Sequence, residues 1–274
     1  MERYIGKLKY VLWVIVAVGM VFPLYWMLVT SFKPSREAIN YPPTFIPQTF
    51  MGLQNYFEVF RRAPFGYFFV NSIIVTVVVT IFVIFTSALA GYVFAKFRFR
   101  GRDLLFYLFL GTMMIPFPTK MIPLFLMVKS FGLINTLPAL TLPYLISAFG
   151  VFMMRQFMKG IPTELIEAAR VDGCSEWRIF WTIIISLSRN ALAGLGIYTF
   201  VVQWDDFVWP LIAVSDMKKM TLPIGIVQIS ERFGAQDYSV FMAGAVIIVF
   251  PALLAFLAMR RELIETIALS GMKS

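Results

Sequence analysis

The 274 residues are 59% apolar and 14% charged, against about 45–50% and about 25% in soluble domains, so water is not the main solvent of this chain. Its formal charge of +9 collects at the ends of long apolar blocks, which reads as membrane topology and not as a nucleic-acid surface. One cysteine, Cys174, and no histidine exclude an internal disulfide and a cysteine-only metal cluster, and remove the commonest metal ligand and general base.

The first apolar block runs from about Tyr10 to Phe32. It exceeds the about 7 to 15 residues of a cleavable signal core, so it is read as a retained helix. Further blocks lie near Tyr67 to Ala95, Leu104 to Val128, Leu137 to Met154, Ala191 to Val214 and Val240 to Met259. Each approaches or exceeds the roughly 20 residues that cross about 30 Å of hydrocarbon. The fold class expected is therefore an all-α membrane protein of six transmembrane helices, forming one membrane domain over residues 1–274.

Six crossings place both termini on one side. That side receives Arg3, Lys7, Lys9, Lys96, Arg98, Arg100, Arg102, Arg155, Lys159, Arg170, Arg178, Arg260, Arg261 and Lys273, fourteen basic residues in all. The other receives eight: Lys33, Arg36, Arg61, Arg62, Lys129, Lys218, Lys219 and Arg232. The positive-inside bias makes the first side cytoplasmic. On the external side, Asn40 to Arg62 carries Pro42, Pro43 and Pro47; these prolines argue for a structured loop without regular helix through Pro47.

Three prolines, Pro116, Pro118 and Pro123, surround Lys120 in the third block, where they break the helix and free carbonyls toward protein or water. A charge at mid-bilayer costs roughly 2.5 to 3.5 kcal/mol on insertion scales, so Lys120 should point inward or snorkel, and it is a candidate pathway residue. Asn71, Thr112, Tyr144, Ser147 and Tyr198 either line a route or bond helix to helix. Arg189 is read as an interfacial structural residue. In Gln203-Trp204-Asp205-Asp206-Phe207-Val208-Trp209, two carboxylates beside flat apolar rings suit a sugar, while an aromatic belt at the membrane interface explains the same residues.

The longest cytoplasmic loop, Ile161 to Ser175, is polar yet helical in composition. Pro162 suits a helix start, Gly173 a left-handed C-terminal cap, and Ser175 the cap of the next helix. At 100° per residue Leu165, Ala168, Ala169 and Asp172 share one face, with Glu164 and Glu167 beside it. Such a rod fits a groove on a partner protein; an interfacial helix with no partner is the alternative.

The run Glu167-Ala168-Ala169-Arg170-Val171-Asp172-Gly173-Cys174, followed by Phe180, Ile185 and Leu187, resembles the EAA signature of binding-protein-dependent ABC importer permeases. The resemblance implies a type I permease architecture in which this segment is the coupling helix, with Glu164, Glu167, Ala168, Ala169, Asp172 and Gly173 at the ATPase contact. Where that family carries Leu-Pro and a second proline, this chain has Ser186 to Asn190, so no proline is present to kink the start of the fifth helix. Phe22 to Lys33, Gln203 to Leu211, Met242-Ala243-Gly244-Ala245 and the tail Ile267 to Lys273 resemble the maltose-type carbohydrate branch. That likeness implies a sugar or oligosaccharide importer in the cytoplasmic membrane, working by alternating access. It also implies ATPase subunits that hold ATP and Mg, a second and different permease subunit, and an extracytoplasmic solute-binding protein. This chain itself is expected to bind no cofactor and to hydrolyse nothing, and a Gly-x-x-x-x-Gly-Lys-Ser/Thr phosphate loop is absent from it.

Two rivals stay open. The cargo could be glycerol phosphate or a related phosphodiester, with Lys120 and Arg189 as counter-charges. An intramembrane lipid hydrolase or transferase is the other; it lacks an obvious nucleophile and base pair.

Overall fold

The computed structural model describes residues 2–233 and 237–271, and the side chains of 9–228, 237–254 and 257. Among the described residues every regular element is helical. The chain divides into two compact units, Met1–Gly66 with Leu222–Pro251 and Tyr67–Thr221 with Ala252–Ser274. Of the basic residues used to orient the chain, the side chains of Arg3, Lys7, Arg232, Arg260 and Arg261, together with Met272 and Lys273 of the tail, lie outside the described residues.

In the first unit, α1 (Glu2–Ser31) contains an apolar stretch, Lys9–Ser31, none of which is covered by the rest of the chain in its most hydrophobic window. Lipid or another subunit has to cover it. The loop that follows has little regular structure, as its prolines require: α2 is only Ser35–Ala38, and helix resumes at α3, Gln54–Arg62. Polar side chains do the folding here. Asn55 donates from one amide to the carbonyls of Ser31 and Lys33, both at 2.8 Å. Glu37, 8% exposed, accepts from the N–H groups of Gln48 and Thr49 and from the Thr44 hydroxyl. Lys33, fully buried, donates to the Thr44 carbonyl and lies 4.8 Å from the Trp26 ring centroid. Two buried charges of opposite sign are thus each hydrogen-bonded, which offsets the cost of taking them from water. Phe45 packs on Phe22 and Trp26, and the Tyr25 hydroxyl donates to its carbonyl at 2.6 Å.

The second unit holds most of α4 (Phe65–Lys96) and the helices α5 (Arg102–Gly111), α6 (Phe117–Ser130), α7 (Leu137–Thr141) and α8 (Ala148–Lys159). It continues through α9 (Thr163–Val171), α10 (Glu176–Ile179), a π-helical turn at Phe180–Ile184, α11 (Ile185–Leu187), α12 (Arg189–Trp204) and α13 (Val208–Ala213). Phe65–Lys96 and Leu137–Lys159 are each long and apolar enough to cross a bilayer. Two further apolar helix pairs are bent. Between α5 and α6 the chain turns by 100°, because Ile115 precedes Pro116 and is pushed to an extended backbone, φ −83° and ψ 114°. The prolines of the third block break it as the sequence requires.

The fifth block also bends, by 78° between Glu176–Leu187 and Arg189–Trp204. The sequence offers no proline there, and the kink comes from other causes: the π turn at Phe180–Ile184 slips the hydrogen-bond ladder, and Ser188 leaves helical geometry at φ −97°, ψ 5°. The fifth block thus begins at Glu176, earlier than its apolar run, and its helix stops at Trp204, with Asp205 to Phe207 unwound before α13.

Small residues set the spacing of α4 and α8. A Cβ added to Gly91 would lie 2.7 Å from the Met154 Cβ and 3.0 Å from the Arg155 backbone nitrogen. One added to Gly150 would meet the Ser87 hydroxyl at 2.3 Å. Close backbone approach of this kind is how helices associate in lipid, where no hydrophobic force drives them together. Arg155, buried between these helices, donates to Asp103 at 3.0 Å and to the Phe94 carbonyl at 3.3 Å, and its guanidinium lies 3.7 Å from the Phe106 centroid.

The first unit is completed by α14 (Leu222–Phe233) and the start of α15 (Tyr238–Gly271), whose apolar part Tyr238–Leu254 is shorter than the candidate spans and falls in the sixth apolar block. Gly244, in the stretch that resembles the carbohydrate branch, lets Ile226 pack against α15: a Cβ there would lie 2.2 Å from the Ile226 Cδ1.

Candidate functional site

Two groups of candidate residues were legible in the sequence, and both fall in the second unit. The first is α9. Its C-terminus is a Schellman cap: the Gly173 N–H bonds to the Arg170 carbonyl at 3.0 Å and the Cys174 N–H to the Ala169 carbonyl at 2.9 Å, with Gly173 at φ 79°. A left-handed residue is required at that position, and only glycine takes it without strain. The chain then restarts at once, since the Ser175 hydroxyl accepts from the Arg178 N–H.

One side of α9 is anchored. Ile166 is fully buried in a cluster with Met158, Ile161, Ile179 and Phe180, and Ala169 and Cys174 pack against the same cluster. The other side is open: Glu164, Leu165, Glu167, Ala168 and Asp172 are all exposed. The expected face of Leu165, Ala168, Ala169 and Asp172 is therefore split, because the anchor centres on Ile166 and draws Ala169 toward the core. The free surface is an apolar and small pair, Leu165 and Ala168, ringed by three carboxylates. Arg170 donates from Nε to Glu176 at 2.6 Å, and the other Glu176 oxygen accepts from the Tyr92 hydroxyl at 2.9 Å. Glu176 was not singled out by sequence, where an acid in the first turn after a serine cap looks like ordinary capping.

The second group surrounds the break after α12. Tyr144 donates to the carboxylate of Asp206, bringing two sequence candidates together, while the second Asp206 oxygen is shielded from water without a hydrogen-bond partner among the described residues. Tyr198 is exposed and packs on Phe149 with ring centroids 4.7 Å apart. Asp205 is exposed.

Trp204 and Trp209 do not offer the free faces anticipated for a sugar. Trp204 stacks on Phe200 at 5.8 Å and meets Phe69 edge-on, and Trp209 donates to the Ala139 carbonyl at 2.9 Å and meets Phe117 edge-on. Both rings are fully buried and Gln203 is buried with them, so this trio holds the break in place, with Asp205 exposed and Asp206 half-buried against Tyr144. Lys120 is exposed on α6. Asn71 bonds the carbonyls of Lys218 and Met220, Thr112 bonds its own helix at Phe109, and Ser147 caps α8 at Gly150; each serves local structure.

A family model for the binding-protein-dependent transport system inner membrane component matches residues 84–262, a stretch that contains α9 and the break after α12. The chain belongs to this family of multi-pass membrane permeases. Among its relatives, the permease is 34% identical to the arabinooligosaccharides transport system permease protein AraQ of Halalkalibacterium halodurans, over 92% of this chain and 91% of that one. It is 33% identical to the lactose transport system permease protein LacG of Rhizobium radiobacter, over 89% and 88%. Identity to the sn-glycerol-3-phosphate transport system permease protein UgpE of Pectobacterium atrosepticum is 32%, over 95% of each. The fold matches a chain in the crystal structure of a bacterial ABC transporter involved in the import of the acidic polysaccharide alginate, with a TM-score of 0.85, 22% identity, and coverage of 95% and 96%. The family match and this likeness show the fold class, an all-α membrane protein of type I importer permease architecture.

Proposed function

We propose that this permease forms half of the translocation pathway of an ATP-driven importer of a sugar or oligosaccharide, with α9 as the element that receives the work of ATP hydrolysis. The observation that carries the reading is the two-sidedness of α9: Ile166 ties it to the body of its unit, while Glu164, Leu165, Glu167, Ala168 and Asp172 stand free. A helix welded on one face and vacant on the other transmits a push. ATP and Mg sit on the ATPase subunits that α9 enters; a second, different permease subunit completes the pathway, and an extracytoplasmic binding protein loads it. Both termini are cytoplasmic in this arrangement, on the side of α9. The permease itself needs no cofactor. ATP shifts the equilibrium between inward-facing and outward-facing states only because the contacts of α9 differ between them.

A neutral polyhydroxyl cargo is favoured over a phosphate ester by Asp206, whose carboxylate at the break after α12 would repel an anion. Three relatives named for saccharides or chitobiose point the same way. The UgpE relatives support the glycerol phosphate reading, for which exposed Lys120 would be the counter-charge. Binding of radiolabelled arabinooligosaccharide, lactose and glycerol 3-phosphate by the cognate binding protein, followed by uptake into proteoliposomes, separates the two.

In the assembled transporter, Glu167→Lys should leave the permease in the membrane and the ATPase bound more weakly. Uptake should fall at least tenfold while the ATPase subunits keep their basal hydrolysis; unchanged uptake would remove α9 from the mechanism.

A further inference from the structure

The segment joining α4 to α5 reads Lys96-Phe97-Arg98-Phe99-Arg100-Gly101-Arg102. Its aromatic residues fold back on α4: Phe97 meets Tyr92 edge-on with centroids 5.2 Å apart, and Phe99 lies 6.3 Å from Phe94. The alternating residues face away. Arg98 and Arg100 are exposed, and neither has a hydrogen-bond, ion-pair or ring partner among the described residues. Arg102 is held by Asp103 at 3.1 Å and by the Phe97 carbonyl at 3.3 Å. The Asp103 carboxylate is answered a second time by Arg155 at 3.0 Å, with Lys159 within its field. Asp103, the acid in the first turn of α5, is thus neutralised twice over, and the positive charge of Arg98 and Arg100 is not.

These residues enclose a concavity of about 330 Å³, lined by Arg98, Phe99, Gly101, Arg102, Asp103 and Leu104. Leu104 belongs to both the concavity and an exposed apolar face of α5, formed with Leu105, Tyr107 and Leu108. A polar, cationic hollow therefore opens directly onto an exposed apolar stripe. In the topology of the proposed function, α4 and α5 both enter the bilayer from this loop, which puts the hollow at the depth of lipid headgroups.

We propose that this hollow binds the headgroup of an anionic phospholipid, with Arg98 and Arg100 forking its phosphate and the acyl chains lying along Leu104, Tyr107 and Leu108. Guanidinium groups suit a phosphate better than ammonium groups do, because two parallel N–H donors match two oxygens. A soluble anion would use the arginines and ignore the apolar stripe; an acidic protein surface would have to reach into the bilayer to use it. Basic pockets between membrane helices are sites of this chemistry.

The full-length permease in nanodiscs of phosphatidylcholine with a minor fraction of phosphatidylglycerol provides the test, with native mass spectrometry of the lipids retained on release. Wild type should keep phosphatidylglycerol in preference to phosphatidylcholine. The Arg98→Ala/Arg100→Ala variant should lose that preference by roughly tenfold or more, and Arg98→Lys/Arg100→Lys should fall between, since it keeps charge without the fork. Both variants alter exposed side chains only, and unchanged helix content by circular dichroism checks that they fold. Equal retention by wild type and the alanine variant would overturn the proposal. So would displacement of the lipid by millimolar glycerol phosphate, which would mark a site for free anions, or loss of ATPase-subunit capture with lipid retention unchanged, which would mark a protein contact.

Discussion

Glu37 shows how a single buried charge can order a loop. Burial raises its carboxyl pKa, but the backbone N–H groups of Gln48 and Thr49, the Thr44 hydroxyl and nearby Lys33 outweigh that and hold it below the usual carboxylate value. A depressed folded value means that the stabilisation is present in full above the unfolded carboxyl pKa of about 4.3 and is lost as pH falls through the folded value. Limited proteolysis of the 39–53 loop should therefore be flat from neutral pH down to about 5 and rise only in stronger acid. At neutral pH Glu37→Ala should raise the cleavage rate roughly five- to thirtyfold, and an unchanged rate would deny Glu37 this role. At the break after α12, Asp206→Asn keeps the shape of the pair with Tyr144 and removes the charge. On the sugar reading it should lower uptake more than it lowers expression, and a variant that gained transport of an anionic analogue would show that the carboxylate selects against anions.

Glycines decide the outcome at the scale of elements, and for different reasons. Gly91→Ala would press a methyl against the backbone of α8, whereas at Gly150 the obstacle is the Ser87 hydroxyl, a side chain that can rotate away. The Gly91 variant should lower the thermal midpoint of the detergent-solubilised permease further than the Gly150 variant, and the reverse order would contradict the packing described. Gly173→Val places a β-branched residue at φ 79°, where strain costs on the order of 1–3 kcal/mol. It should undo the cap of α9 and reduce coupled uptake while the spans stay intact.

Much of this scale was readable from residues alone. The prolines around Lys120, Gly173 and Ser175 each carry their geometry in their own covalent structure, so the broken third crossing and both caps of the α9 region could be foreseen. The fifth-crossing kink was hidden, because a π turn has no residue signature comparable to proline. The burial of Trp204 and Trp209 was hidden too: aromatic side chains next to carboxylates look the same in sequence whether their faces meet a ligand or Phe200, Phe69 and Phe117. The anchor face of α9 depended on which of Ile166 and Leu165 meets the cluster of Met158, Ile179 and Phe180, a choice made by tertiary packing.

At the scale of the molecule, composition pointed to lipid as the solvent, and the family match bears out the likeness to importer permeases that the Glu167 to Gly173 run carries. The uncovered α1 span and the open face of α9 are both surfaces that this chain cannot satisfy alone. Cross-linking from the open face is the most direct measurement. A cysteine at Ala168, in a Cys174→Ser background, should form an adduct with the ATPase subunit in inside-out vesicles, and the yield should change when ATP is added. If that cysteine instead reacted with impermeant reagents from the outside, or gave no adduct with the ATPase in any nucleotide state, α9 would not be the coupling element.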